Sequence, residues 1–274
     1  MHMMIFYYLM VIVTGLLIGS FLNVCIYRIP REESVIKPPS HCMNCGNRLT
    51  AIDLVPVLSY LLLRGKCRHC KVKISPRYAL VEGLTALTFV LLFAKFGLTM
   101  DFFASSYLMS ILIAVFFIDL DHMIIPDGLV IAGLAGGVPL IIYNAFRPGE
   151  TNVMQIYGDG NWWTPLIGIL VGFGMLFLVA TIGFLIYRTD EAMGGGDIKI
   201  FAPIGIFLGW KMTFVAFFLS VVLAGFIGGI LILAKIKDRK GTIPFGPFIV
   251  IGTFMTYMFG WDLLSWYINS VLSR

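Results

Sequence analysis

Apolar residues run along this chain in long blocks separated by short polar breaks. Blocks of about 20 such residues are long enough to cross the hydrocarbon core of a bilayer as helices. The pattern predicts about eight transmembrane helices, at 4–27, 79–97, 102–119, 126–145, 163–187, 198–210, 212–236 and 246–270. The sixth is short and reads as tilted, half-inserted or continuous with its neighbour. No β-barrel alternation, low-complexity tract or repeat of 20–50 residues is visible, so the predicted fold class is an all-α polytopic membrane protein. Residues 1–27 lack the basic start and small-x-small cleavage site of a signal peptide and read as the first transmembrane helix. Residues 28–78 form the one sizeable polar piece, a cytoplasmic loop domain, and 79–274 the membrane-embedded core. Cys25 follows Leu22-Asn23-Val24, unlike a lipid-modified cysteine, and reads as a buried apolar thiol.

Composition sharpens this picture. Of 274 residues 59% are hydrophobic and only 13% charged, against roughly 25% charged in soluble domains. The net charge of +5 does not point to nucleic acid, because the basic residues gather in a few loops as an orientation signal. Arg28, Arg31, Lys37, Arg48, Arg64, Lys66, Arg68, Lys71, Lys73 and Arg77 lie between the first two spans. Arg188, Lys199, Lys235, Lys237, Arg239 and Lys240 fall on the same side of an eight-span topology, leaving Lys95, Arg147, Lys211 and Arg274 on the other. Positive residues concentrate on the cytoplasmic side. The expected N-terminus is therefore outside, and Asp119, Asp121, Asp127 and Asp197 lie near the cytoplasmic face.

The loop domain carries Cys42-x2-Cys45 and, twenty-one residues on, Cys67-x2-Cys70. Two such knuckles match a four-cysteine zinc site, each pair chelating from one tight turn, with Gly46 and Gly65 nearby to relieve strain. Four thiolates leave no open position, so the zinc is structural. Two disulfides are disfavoured in a reducing cytoplasm, and the strand and helix context of a redox-active thiol pair is missing. His41 and His69 flank complete knuckles and read as solvent-facing.

The carboxylates carry the candidate chemistry. Asp119 closes the apolar run ILIAVFFIDLDHMIIPD, with Asp121 and Asp127 close behind. Ionisable groups at the edge of a span are costly and often functional. For Asp121 and Asp127 the alternative is a marked helix end, with Asp127 capping span four. Asp197 follows three glycines, Gly194 to Gly196, which permit close approach by an extended peptide. A phosphate cradle is excluded by the acid itself and by the missing Lys-Ser/Thr pair. Two carboxylates brought together share one proton, so one activates water while the other donates to a scissile carbonyl. Glu82 begins span two, either as a structural partner for Arg77 or Arg28 or as a functional acid. Lys199 either tunes Asp197 or snorkels to the interface.

At these residues the chain resembles the type IV prepilin peptidases, a family of GxGD-type membrane aspartyl proteases. GSFLNVCIYRIP at 19–30, the paired cysteines, SPRYALVEG at 75–83, D-x-D-x3-I-P-D at 119–127 and MGGGDIK at 193–199 all look like its motifs, along nearly the whole chain. The resemblance implies catalysis by Asp119 and Asp197, with Gly194 and Gly196 supplying GxGD. It further implies removal of short basic leaders from prepilins or pseudopilins at the cytoplasmic face of a prokaryotic inner membrane, in pilus or secretion systems. N-methylation of the new N-terminus from S-adenosylmethionine is also implied, because the cysteine loop and the 19–30 segment accompany bifunctional members. No glycine fingerprint places that cofactor. A presenilin-like enzyme would carry Tyr-Asp, whereas Ile118 precedes Asp119 here. The competing class is a proton- or ion-coupled transporter, against which stand the absent inverted repeat and the one-sided acids.

Overall fold

The computed structural model describes residues 2–146, 154–158, 161–188, 194–235 and 243–272. Met193 of the second motif and Arg147, Lys237, Arg239, Lys240 and Arg274 of the charge pattern lie outside the described residues, as does the end of the 212–236 span. The long elements are helices: α1 (His2–Arg28), a short α2 (Leu58–Leu62), α3 (Arg77–Phe96), α4 (Met100–His122), α5 (Asp127–Ala145), α6 (Thr164–Tyr187), α7 (Gly195–Leu233) and α8 (Gly246–Tyr267). Seven of them are long and apolar enough to cross a membrane. The chain divides into two compact units, Met1–Gly97 and Leu98–Arg274.

In the first unit α1 lies against α3. Gly15 and Gly19 stand one turn apart, and β-carbons there would fall 2.6 Å from Ala86 Cα and 2.7 Å from Glu82 Cα. Small residues at this spacing let backbones approach where lipid offers no hydrophobic drive. Cys25 is buried, as expected. Met3, Phe6, Met10, Val13, Leu17 and Phe21 form an exposed apolar face on α1, which suits acyl chains better than water.

In the second unit α4 is the most buried span, with Leu108, Leu112, Ala114, Val115 and Ile118 fully enclosed. Gly133 of α5 admits Pro203, Gly136 the Tyr107 ring and Gly137 the Ile206 side chain, which accounts for that glycine cluster. Among the described residues, Gly225, Gly228 and Gly229 of α7 show no such close approach. Gly225 and Gly229 face open space, and Gly228 makes only an ordinary contact with Ile243. A closer approach occurs between α6 and α7, where Gly168-x3-Gly172 faces Gly205: at Gly168 and Gly205 a β-carbon on either residue would overlap the other's carbonyl. Asp101, 2% exposed, accepts the Gln155 and Ile156 N–H groups at 3.0 Å and pins the turn before α6.

Helix α7 resolves the short sixth span. A straight helix of 39 residues would reach about 58 Å, nearly twice a hydrocarbon core of about 30 Å. At Gly209 the backbone leaves helical geometry, with φ 69° and ψ 168°. Phe201 and Phe217 then bring their rings to 6.1 Å, where a straight helix would separate them by roughly 24 Å. The chain therefore doubles back at Gly209. Its two arms correspond to the expected spans 198–210 and 212–236, so eight segments arise from seven long helices.

Candidate active site and metal centre

Asp119 stands in the last turn of α4, which ends when Met123 adopts a left-handed conformation (φ 54°) and donates its N–H to the Asp119 carbonyl at 2.9 Å. Ile124 to Pro126 then run to the start of α5. Asp119 is 5% exposed, and its Oδ2 accepts the Gly246 N–H at 2.9 Å, the first residue of α8. Asp197 lies half-buried in the first turn of α7. Both carboxylates thus meet the N-terminal end of a helix, where free N–H groups and the macrodipole favour negative charge. They are close enough that the Asp119 charge acts on Asp197.

The glycines explain how the two acids meet. At Gly196 a β-carbon would sit 2.9 Å from Ile125 Cβ, and at Gly194 it would sit 2.9 Å from Asp197 Oδ2. At Gly195 it would meet nothing within 4 Å among the described residues. The pattern Gly-x-Gly-Asp therefore has a steric meaning: the outer glycines are contact positions and the middle one is open. Gly246 belongs to the same set, since a β-carbon there would stand 2.6 Å from Asp119 Oδ2. Sequence reasoning missed it. The available signal was Gly246-Pro247 at the start of a span, a helix-initiating pair.

The neighbouring polar residues sort differently from expectation. Asp127 does not cap α5: Pro126 occupies the cap position, without a side-chain cap bond. Instead Asp127 Oδ1 accepts Lys199 Nζ at 2.8 Å, both side chains being more than half exposed. Lys199 therefore pairs with Asp127 rather than only reaching outward. Asp121 is exposed on the last turn of α4. Glu82 belongs to the first unit and is 8% exposed. It is not the partner of Arg28, whose guanidinium donates to the Ser34 and Pro38 carbonyls at 2.8 and 2.7 Å. Glu82 Oε2 accepts the Val57 N–H at 2.7 Å.

In the loop, Cys42, Cys45, Cys67 and Cys70 place their sulfurs within 4.8 Å of one another, and no disulfide joins them. A tetrahedron with metal–sulfur bonds of 2.3 Å has edges of about 3.8 Å. The Cys42 and Cys70 sulfurs stand 3.8 Å apart. Each knuckle closes by paired backbone bonds, Cys42 N–H to Asn47 and Cys67 N–H to Val72, both at 2.9 Å. The residue after each knuckle is left-handed, Gly46 at φ 70° and Lys71 at φ 59°. Gly65, also left-handed at φ 65°, lies before the second knuckle, so Lys71 occupies the position that glycine would suit. Backbone N–H groups of Cys45 and Asn44 hold the Cys42 thiol below its ordinary value. The Val72 N–H and the Asn44 amide bring Cys70 down to about 6. These two thiols favour the ligating thiolate, whereas Cys45, despite the Asn47 N–H, is pushed up to about 11 beside the Cys42 and Cys70 sulfurs, as expected of like charges crowded together without a cation between them. Arg68, between the second pair, donates to Asp53 at 2.7 Å. The Thr50 hydroxyl, then Arg68, hold the Asp53 carboxyl at about 2, so this tie is present at neutral pH and is lost as pH falls through that value. His41 is half-buried and His69 exposed.

Fold and site together define a polytopic helical membrane protein with two adjoining carboxylates and a four-cysteine loop. Residues 13–96 match the bacterial peptidase A24 N-terminal domain, and residues 106–229 match the type IV leader peptidase family. A prepilin leader peptidase/N-methyltransferase of Bacillus subtilis (strain 168) is 34% identical over 94% of this chain and 96% of its own. Proteins of that same name from Aeromonas hydrophila, 33% identical over 97% and 95%, and from Myxococcus xanthus (strain DK1622), 38% identical over 81% and 62%, are also similar. No solved structure matches significantly. The chain belongs to the type IV leader peptidase family, which sets aside the transporter reading.

Proposed function

We infer that this protein removes the short basic leader from type IV prepilins or pseudopilins and N-methylates the residue so exposed. The meeting of Asp119 and Asp197 at two helix N-termini carries the peptidase part. The Gly246 N–H suits an ionised Asp119, which takes a proton from the attacking water. Asp197 donates to the scissile carbonyl, and the roles exchange as the amine leaves. Gly194 keeps the approach to Asp197 free of a side chain, which suits an extended peptide, and Gly196 seats the first turn of α7 on Ile125. Asp121, Asp127 and Lys199 line the same end of the unit and bear charge without joining the dyad.

Zinc held by Cys42, Cys45, Cys67 and Cys70 is structural in this reading, because the four sulfurs complete the coordination. S-adenosylmethionine supplies the methyl group. The enzyme works in a prokaryotic inner membrane with the dyad toward the cytoplasm, a placement supported by the distribution of Lys and Arg. The loop 28–78 is the zinc domain, and the dyad belongs to the peptidase core that begins at 79.

The test is cleavage of a purified prepilin by Asp119→Asn and Asp197→Asn in detergent. Asn keeps shape and removes the acid–base function. Each variant is expected to lose cleavage by at least ~10³-fold while keeping the helical circular dichroism of the parent. Cleavage at the parental rate by either one would overturn the dyad.

A further inference from the structure

The first unit contains a cavity of about 790 Å³ that the peptidase chemistry does not use. Small-molecule sites occupy roughly 300–1,000 Å³ and combine apolar walls with a few converging polar groups. This one is enclosed by α1, the cysteine loop and the start of α3, with Asn23, Tyr27, Ser59, Tyr60, Tyr78 and Glu82 among its lining residues. Its walls are fixed. Asn23 Nδ2 donates to the Tyr78 carbonyl at 3.0 Å, and Arg28 is tied to two loop carbonyls.

Two independent observations converge on Glu82. It is the buried carboxylate in this wall, since Asp53 is engaged by Thr50 and Arg68. It accepts the Val57 N–H and the Ser20 hydroxyl, yet a carboxylate accepts about four hydrogen bonds, so capacity for a cation remains. Val57 itself has φ 59° and ψ −49°, a strained γ-turn geometry. Strain of this kind costs roughly 1–3 kcal/mol and gathers at ligand-holding positions. Three tyrosines in the wall supply aromatic surface for a flat base.

We propose that this cavity binds S-adenosylmethionine, with Glu82 as the counter-charge to its cationic methionyl end. The proposal rests on the reading that the enzyme methylates. In the transfer, the substrate amine first gives a proton to solvent. Its lone pair then bonds the methyl carbon while the carbon–sulfur bond breaks, its electrons remaining on a neutral thioether.

The experiment is equilibrium dialysis of radiolabelled S-adenosylmethionine against the full-length protein in detergent without pilin peptide, with methyl transfer to a mature pilin N-terminal peptide measured separately. Glu82→Gln removes the charge and still offers an oxygen to the Val57 N–H, so it separates binding from support of the turn. It is expected to weaken binding roughly tenfold or more. Ser59→Trp fills the cavity and is expected to abolish binding. Retained zinc and helical signal in each variant report a folded unit. S-adenosylhomocysteine as competitor locates the charge: loss of discrimination in Glu82→Gln places Glu82 at the sulfonium, and equal weakening places it at the ammonium. Parental binding by both folded variants would overturn the location. No binding and no methylated product with the parent would overturn the methylation reading itself.

Discussion

Single atoms decide where the two acids stand. The Gly246 N–H on Asp119 is a bond to a charged group, a kind worth roughly 1.5–3 kcal/mol, and any β-carbon at Gly246 would displace that carboxylate. The three consecutive glycines look equivalent in sequence and are not equivalent in space, because only the chain they face distinguishes them. Gly195→Ala is expected to keep cleavage within about twofold, as substitutions into open space usually do. Gly196→Ala pushes the first turn of α7 off Ile125 and is expected to slow cleavage roughly 10–100-fold, since displacement of about 1 Å costs on that order. Equal rates for the two in a prepilin cleavage assay would contradict the steric account. The Lys199–Asp127 pair is exposed on both sides. Pairs of this kind contribute about 0–1 kcal/mol, so it adds little to stability. Neither its existence nor the missing cap was visible beforehand, because the partners lie 72 residues apart.

Among elements, the cysteine loop was the most legible. Chelation is local: spacing alone brings two thiols onto each turn, and only the pairing of the knuckles required folding. The second knuckle carries its left-handed turn on Lys71, where L-residues pay roughly 1–2 kcal/mol. Purified protein is expected to contain about one zinc per chain; Cys42→Ser is expected to lose it and to expose the loop to protease, as read by metal analysis and limited proteolysis. A folded, metal-free parent would refute this. Helix α7 was less legible. Its apolar run is broken only at Lys211, which leaves the short span open to being tilted, half-inserted or continuous with its neighbour, and the reversal depends on one φ angle at Gly209 that only glycine adopts readily.

For the whole molecule, that reversal sets the sidedness of the C-terminus. With α7 folded back, the proposed orientation would place the C-terminus outside; an α7 crossing once would leave it inside. A phosphatase reporter fused after Lys235 is expected to stay inactive in cells, and one fused after Arg274 to be active. The opposite pair would require a single crossing by α7.

The membrane class, most helix positions and the spacing of the four cysteines were legible in the amino-acid sequence. These follow from composition, from segment length against bilayer thickness, and from motif spacing, all of which are local along the chain. Folding in three dimensions decided that one element, α7, carries both spans and turns at Gly209, that Gly246 holds Asp119, that Glu82 meets the Val57 N–H while Arg28 meets loop carbonyls, and that a cavity lies beside Glu82. Each of these depends on contacts between residues distant in sequence, and their pairing is settled by packing in three dimensions.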